Sequence, residues 1–439
     1  MNAPVFTPYQ KFVIAMLAFL QFSIVLDFMI MSPLGALLMP DLRISPRQFG
    51  LVVSAYAFSA GISGILAAGF ADKFDRKRLL LFFYSGFVLG TFLCGIAGTY
   101  WFLLVARVVT GIFGGVIGSI SMAIIADLFP LQVRGRVMGF VQTAFAASQV
   151  LGLPLGLFLS NHWGWHAPFL MIVGISAAVG IFIALKLQPI TAHIKGQTTR
   201  NPIVHLFKTV SQGRYIQAFS ATILLATGGF MLMPFGSAFS VSNLGISMHQ
   251  LPWVYLGTGI ASFIAGPFIG KLSDRIGKYP MFCIASGVGI ATVLVYCSLG
   301  VTPLAWVIVI NIVLFIAVTG RMIASQALSS AVPDLQDRGA FMAVSNSVAQ
   351  LSGGVAAAIA GMIVVQPPGR PLERYDVLGF VVAGAMLATI GLMYPINKMV
   401  MKKAAAQAGG PGGMGAGMGG NPGAAGESAV PGTTPAATR

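Results

Sequence analysis

A single carboxylate lies inside an apolar run near the start of this sequence. Between Phe12 and Pro33 the only charged residue is Asp27, and the run is long enough to cross a bilayer as a helix. Because an ionised acid is costly against lipid, Asp27 is expected to face a protein interior or a water-filled cavity, where it has a partner or a task. Binding and releasing a proton is one such task.

A second intramembrane charge, Arg107, lies at a matching depth in the fourth apolar run. Helical rise places Asp27 roughly 24 Å from the start of its run and Arg107 roughly 9 Å from the start of a run that crosses in the other direction. If the two side chains meet, movement of either switches the acid between proton states, because burial favours the neutral form and a nearby cation favours the charged form. A static ion pair that fixes helix packing is the alternative.

The composition places both residues in an integral membrane protein. Of the 439 residues, 56% are hydrophobic and only 8% are charged, and the mean hydropathy is +0.85, which no ordinary soluble domain approaches. The apolar runs have the length of helices rather than of barrel strands. They predict twelve transmembrane helices, at 12–33, 50–70, 79–98, 101–126, 137–160, 167–185, 215–237, 251–270, 279–300, 303–327, 340–365 and 377–397.

The net charge of +15 indicates membrane topology rather than a nucleic-acid partner. Most basic residues fall on one side of the predicted spans, and the other side carries only Arg43, Arg47, Arg370 and Arg374. The positive-inside rule therefore predicts a multi-pass protein of the cytoplasmic (inner) membrane with both termini in the cytoplasm. The spans contain no metal-ligand cluster and no set of nucleophile and base, so neither a metal, a cofactor nor an enzymatic activity is expected. We expect a monomer.

The sequence repeats itself after six spans. The segment Leu42–Gln48 returns as Leu244–Gln250, and Asp72 returns as Asp274 at the same offset. Parallel repeats of six spans occur in secondary transporters, whose substrate site lies near the midplane between the halves. The predicted divisions are an N-terminal bundle at 1–188, a cytoplasmic connection with an interfacial helix at 189–213, a C-terminal bundle at 214–400 and a disordered Gly/Pro/Ala-rich tail at 401–439.

Several motifs resemble those of the major facilitator superfamily. Ala68–Lys77 is similar to the signature Gly-x-Leu-Ala-Asp-Arg-x-Gly-Arg-Arg, and its repeat at Gly270–Lys278 is closer still. Arg107–Gly111 is similar to the Arg-x-x-x-Gly element, and Gly152–Gly156 to the Gly-x-Pro-x-Gly pattern of the twelve-span drug and sugar efflux branch. The resemblance implies an all-α fold of two six-helix pseudo-repeats around a central cavity, which the first, fourth, seventh and tenth helices line.

In that fold the remaining polar residues are expected near the cavity or at its cytoplasmic mouth. Candidate cavity residues are Met31, Phe315, Asn311, Asn346 and Gln350. The amides of the last three would contact substrate or bond neighbouring helices. A charge cluster that closes the cytoplasmic side and breaks when the halves move is predicted from Asp72, Arg76, Asp127, Arg134, Asp274, Arg275 and Arg338. Arg321, near the inner end of the tenth span, is expected to snorkel to the interface.

The fifth span contains Gly152, Pro154 and Gly156, a pattern that permits a bend and a close approach to another helix. The family resemblance ties this element to antiport.

These observations predict a proton-coupled secondary transporter that exports a small organic molecule, drug-like or sugar-like, by alternating access. The proton gradient would supply the energy, because no Gly-x-x-x-x-Gly-Lys-Ser/Thr loop is present to couple ATP hydrolysis. Two alternatives stay open at this point. One is proton-coupled uptake of a metabolite by symport, and the other is a non-transporting membrane receptor or scaffold.

Overall fold

The computed structural model describes residues 6–67, 74–191, 212–333, 338–367 and 370–408. Within these ranges the protein is all-helical and contains twelve helices long and apolar enough to cross a membrane. The predicted fold class and the predicted number of spans are therefore confirmed. We number the spans α1 to α12 in chain order, and we call the end of the bundle where α1 begins and α12 ends the basic end. The other end is the opposite end.

The N-terminal half consists of α1 (Pro8–Asp41), α2 (Pro46–Ala67), α3 (Arg76–Gly95), α4 (Tyr100–Leu128), α5 (Leu131–Ala147, a π-helical turn at Ser148–Gly152, then Leu153–Trp163) and α6 (Ala167–Lys186). The C-terminal half consists of α7 (Gly213–Leu232, a 3₁₀ turn at Met233–Phe235, then Gly236–Ser242), α8 (Leu251–Ile276), α9 (Lys278–Cys297), α10 (Leu304–Ala331), α11 (Arg338–Ile363) and α12 (Tyr375–Ala408).

The last helix runs past its predicted bound. The composition predicted that residues 401–408 belong to a disordered tail. In the structure α12 continues to Ala408, so these residues are helical. The segment that follows Lys403 is rich in alanine, the strongest helix former, which extends the helix before the glycines begin. The predicted interfacial helix within 189–213 and the remainder of the tail lie outside the described residues.

The repeat is visible at the turn that follows the first span of each half. The backbone N–H of Ser45 donates to the side chain of the glutamine three residues later at 2.9 Å, and that of Ser247 makes the equivalent bond at 3.0 Å. Just before these serines, Arg43 and Gly245 both have positive φ, at 53° and 74°. The two turns therefore share a residue in the left-handed conformation. In the second turn this residue is a glycine, which adopts a positive φ without strain, and in the first it is an arginine.

The two halves contact each other through α1 with α7, α2 with α11 and α5 with α8. Between α1 and α7, Ser237 Oγ donates to Ser32 O at 2.8 Å. Between α2 and α11, a Cβ on Gly50 would lie 2.8 Å from Ala357 O. Between α8 and α5, a Cβ on Gly259 would lie 3.0 Å from the α5 backbone. These close approaches join the halves in the middle of the bundle and toward the opposite end.

Candidate functional site

An ion pair between α1 and α4 lies inside the N-terminal half. Arg107 Nη1 donates to Asp27 Oδ2 at 2.8 Å, and both side chains are buried. Asp27 and Arg107, which helical rise places at matching depths, are thus in direct contact. Removing one partner of a buried pair leaves an uncompensated charge, which typically costs about 3–5 kcal/mol.

Two further helices complete the surroundings of this pair. From α3, Thr91 Oγ1 donates to Asp27 Oδ1 at 3.1 Å, and from α2, the ring of Tyr56 lies 4.4 Å below the guanidinium carbon of Arg107. A hydroxyl donates to a carboxylate and accepts from a carboxylic acid, so Thr91 can bond Asp27 in both proton states. The Tyr56 ring attracts the cation by roughly 0.5–2 kcal/mol, which supports Arg107 independently of the acid.

A row of aromatic rings leads from the ion pair to the C-terminal half. The ring centroid of Tyr56 lies 5.4 Å from that of Phe28, and Phe28 lies 5.5 Å from Phe230 of α7. Phe28 and Phe230 occupy equivalent positions in the two repeats, so they meet across the pseudo-twofold axis. Phe230 in turn fills the space beside Gly353, where a Cβ would lie 2.9 Å from the ring. The ion pair therefore borders the interface between the halves.

The residues that were predicted to line a cavity differ in how buried they are. Met31 is buried, and Asn311 is only 7% exposed and donates its amide to a carbonyl of its own helix at 2.8 Å. In this conformation these two are packing residues, because a side chain that is bonded within its own helix and enclosed by neighbours offers nothing to a ligand. The other candidates are more accessible, with Phe315 and Gln350 half-buried and Asn346 exposed.

A comparison with models of protein families identifies the family of this chain. The family model described as Major Facilitator Superfamily matches residues 17–356 and 218–411. The chain belongs to the Major Facilitator Superfamily. It therefore belongs to a family of membrane transporters, which are not enzymes, and the resemblance seen in the sequence motifs is confirmed.

Relatives of this chain carry names that refer to transport. It is 27% identical over 261 residues to the uncharacterized MFS-type transporter YceJ of Bacillus subtilis, a match that covers 59% of this chain and 66% of that protein, just under two thirds of its length. It is 25% identical over 353 residues to a probable sugar efflux transporter of Helicobacter pylori, covering 79% of this chain and 84% of the relative.

A solved structure has the same fold. It is the crystal structure of a bacterial homolog of the human lysosomal transporter Spinster, in an inward-facing and occupied conformation. The TM-score is 0.66 at 16% sequence identity, and the match covers 91% of this chain and 98% of the other.

At the basic end of the bundle, the predicted charge cluster is present in part. Arg76, the first residue of α3, donates through Nε to Asp127 Oδ2 at the end of α4, at 3.1 Å. Arg134 instead donates to the carbonyls of Ala126 and Phe129, at 2.6 and 2.8 Å, where it caps the end of α4. Asp72, for which Arg134 was a predicted partner, lies outside the described residues.

The corresponding cluster in the C-terminal half differs from the prediction. Asp274 bonds Lys278 across the turn between α8 and α9, and its side chain is 71% exposed. Arg275 is exposed, and the side chain of Arg338, which begins α11, lies outside the described residues. Among the described residues the two repeats therefore differ in their charge clusters, because the position of Asp127 is occupied in the second repeat by Ala331.

Asp127 and Asp274 differ in how exposed their ion pairs are, and this difference gives a stability prediction. Asp127→Asn is expected to lower the free energy of unfolding by about 1–3 kcal/mol, because it replaces the charged acceptor Asp127 Oδ2 at the buried guanidinium of Arg76 with a neutral one. That loss exceeds the roughly 0.3–1 kcal/mol gained by removing an acid from a helix C-terminus. Asp274→Asn is the matched control, with an expected change within about 0.5 kcal/mol, since its ion pair is exposed. Thermal unfolding of the purified variants in detergent measures both changes. Equal shifts would contradict the difference inferred from burial.

The glycine and proline pattern of α5 brings this helix against α1. A Cβ on Gly152 would lie 2.6 Å from a methyl of Leu26, and a Cβ on Gly156 would lie 2.6 Å from a methyl of Ile30. Pro154 follows a π-helical turn that ends at Gly152, so the helix changes its winding at this point. The predicted close approach and irregularity are both present, and the tie to antiport stays a prediction.

Several residues of the site were missed by sequence reasoning. Thr91 and Tyr56 are one hydroxyl and one aromatic residue among many in apolar spans, and nothing in their spacing links them to Asp27. Asp75 was identifiable, because an aspartate just before a helix is a frequent N-cap. Its Oδ1 accepts from Lys77 N at 3.0 Å and from Ile190 N at 2.9 Å, which ties the chain after α6 to the start of α3.

Proposed function

We propose that this chain is a proton-coupled antiporter that exports a small organic molecule, drug-like or sugar-like, across the cytoplasmic membrane. The observation that carries the proposal is the buried Asp27–Arg107 pair, a titratable acid with its counter-charge beside the interface between the halves. The name of the Helicobacter pylori relative supports efflux of a sugar-like compound.

In the proposed cycle, the proton and the guanidinium compete for Asp27. Protonation of Oδ2 removes the negative charge that holds Arg107, while Thr91 continues to bond the acid through its hydroxyl. Arg107 is then held by the Tyr56 ring face, and the ring of Phe28 lies between Tyr56 and Phe230 of the other half. A change in the position of Arg107 would bias the equilibrium between the two packings of the halves.

The proposed substrate contacts combine an apolar surface with neutral polar groups. Phe28 and Phe230, half-buried at the pseudo-twofold axis, supply ring faces. Asn346 and Gln350, one turn apart on α11, supply amide donors and acceptors. This combination suits sugars and amphipathic compounds, which present an apolar face and a hydrogen-bonding edge.

The test begins with ligand identification and continues with flux. Purified protein is screened by thermal shift against sugars and amphipathic drugs, because a ligand of the folded state raises its apparent stability. A hit is then followed in proteoliposomes with an imposed pH gradient. Movement of the substrate against the direction of the protons supports antiport. Movement together with the protons would replace export by symport, and movement that ignores the gradient would contradict proton coupling.

Topology provides an independent prediction. With the basic end in the cytoplasm, a reporter fused at residue 439 or inserted near residue 200 should read cytoplasmic, and one inserted near residue 368 should read external. The reason is the excess of lysine and arginine at the basic end, where an even number of spans returns the C-terminus. An external reading at residue 439 would exclude the proposed orientation.

A further inference from the structure

A groove at the opposite end of the bundle follows the contact between α2 and α11. Its volume is about 440 Å³, within the roughly 300–1,000 Å³ range of ligand sites. The N-terminal half contributes the start of α2, including Arg47, and the C-terminal half contributes the end of α11 and the residues just beyond it, including Gln366. The two walls touch at Gly361, where a Cβ would lie 2.9 Å from Pro46 O. A molecule in this groove therefore contacts both halves at once.

The groove carries one positive charge and no negative one. Arg47 lies in the first turn of α2, is exposed, and makes no ion pair within the part of the chain that the structure describes. No acid is among the residues that line the groove. Glu373, whose backbone pairs with that of Val365 on the groove wall, has an exposed side chain next to Arg374 in the sequence. An anion therefore complements the groove, because the guanidinium matches two oxygens of a phosphate and the start of α2 adds the positive end of a helix dipole.

The surface that continues from the groove toward the middle of the bundle is apolar. On α11 the exposed residues Val355, Ile359 and Met362 recur at helical spacing on one face. On α2 the exposed Leu51 follows Arg47 by one turn. In a bilayer such a surface lies against acyl chains. From the end of the bundle inward, the protein thus presents a cation and then an apolar strip, which matches the order of phosphate and acyl chains in a phospholipid. A soluble anion would leave the apolar strip uncovered.

We propose that this groove binds one anionic phospholipid of the adjacent leaflet, with its phosphate on Arg47 and an acyl chain along the exposed face of α11. Gln366, which also lines the groove, carries an amide that can donate to the headgroup. Because the lipid contacts both halves, it stabilises the packing in which α2 and α11 touch. Separation of the halves at this end then requires release of the lipid. The site is distant in sequence from Asp27 and does not depend on the proposed proton-coupled export.

The first experiment compares the native protein in nanodiscs of phosphatidylcholine with and without phosphatidylglycerol. Phosphatidylglycerol should raise the Tm of the native protein by about 2 °C or more, because a ligand of the folded state stabilises it. Arg47→Gln removes the charge at an exposed position and should lose this rise. Arg43→Gln is the matched control, since Arg43 is an exposed arginine at the same end that does not line the groove, and this variant should keep the rise.

Three results of this comparison would overturn the proposal. Phosphatidylglycerol could fail to stabilise the native protein, or the Arg47→Gln variant could keep the rise. Equal losses in Arg47→Gln and Arg43→Gln would show only a general attraction of anionic lipids to this end. Glycerol 3-phosphate is added to the phosphatidylcholine nanodiscs as a further test of the occupant. If it reproduces the rise and the rise requires Arg47, a soluble anion occupies the groove and the lipid is excluded.

The second experiment measures whether the lipid joins the halves. Ser54 of α2 is buried in the same contact and donates to Gly354 O of α11 at 2.8 Å, so a cysteine introduced by Ser54→Cys is protected from thiol reagents while α2 and α11 touch. A lipid that binds only this packing, present at about ten times its Kd, lowers the ratio of separated to closed states roughly tenfold. Labelling should therefore slow in phosphatidylglycerol, and adding Arg47→Gln should restore the rate seen in phosphatidylcholine. A labelling rate that ignores phosphatidylglycerol would overturn the proposed link between the halves.

Discussion

Asp27→Asn is expected to abolish uphill transport while substrate binding survives. The amide keeps the shape of the carboxyl group, its oxygen can still accept from Arg107 Nη1, and its nitrogen can donate to the hydroxyl of Thr91. What it cannot do is bind and release a proton. In proteoliposomes, the native protein should concentrate substrate when a pH gradient is imposed, whereas the variant should only equilibrate substrate down its own gradient.

The matched control for this experiment is Asp376→Asn, which removes an exposed acid near the start of α12 and should leave accumulation unchanged. Thermal-shift binding of the same substrate separates loss of coupling from loss of the site. If the Asp27→Asn variant still concentrates substrate with native pH dependence, the ion pair is structural. Proton coupling would then have to be sought at Asp72 or Asp127.

Gly50→Val is expected to separate the two halves at the opposite end of the bundle. A Cβ on Gly50 would lie 2.8 Å from Ala357 O and 3.2 Å from Gly361 Cα, both of them backbone atoms that a side-chain rotation cannot move. Overpacking of this kind typically costs about 1–3 kcal/mol. Since every 1.4 kcal/mol is a factor of ten in an equilibrium, the ratio of separated to closed states should rise by roughly five- to 140-fold.

Thiol labelling measures this shift. Ser54 of α2 is buried in the α2–α11 contact and donates to Gly354 O at 2.8 Å, so a cysteine introduced there by Ser54→Cys reports on opening. Its labelling by an impermeant reagent should accelerate when Gly50→Val is added. Gly266→Val in α8 is the control, because no atom lies within 4 Å of the position its Cβ would take. Unchanged labelling in a stably folded Gly50→Val variant would show that this contact does not hold the halves together.

Much of the architecture was predictable from the sequence because the bilayer imposes a length. Twelve runs of apolar residues, each long enough to span a bilayer, have no other stable conformation in lipid than a helix. Their even number and the six-span repeat then define two equivalent halves. Helix ends were less predictable, as α12 shows, because the aqueous segment beyond the membrane follows local propensity rather than the bilayer.

The candidate site was predictable only where a charge made it conspicuous. Asp27 and Arg107 are ionisable residues in apolar spans, and helical rise alone gives each of them a depth. Their contact with Thr91 and Tyr56, and the meeting of Phe28 with Phe230, depend on which face each helix turns to its neighbours. Only the tertiary structure decides those faces.

The physical reason is that a membrane helix is apolar all round. In a soluble protein the hydrophobic stripe of a helix identifies its buried face, but lipid is as apolar as the protein interior, so no such stripe is required. The rotation of each helix is decided by where small residues allow close approach, as at Gly111, where a Cβ would overlap Ser59 Oγ. The same packing encloses Arg321. Its position near the end of a span had instead predicted that its side chain reaches the membrane interface. Sequence thus determined the number, length and repeat of the spans and the presence of two intramembrane charges, and tertiary packing determined what those charges touch.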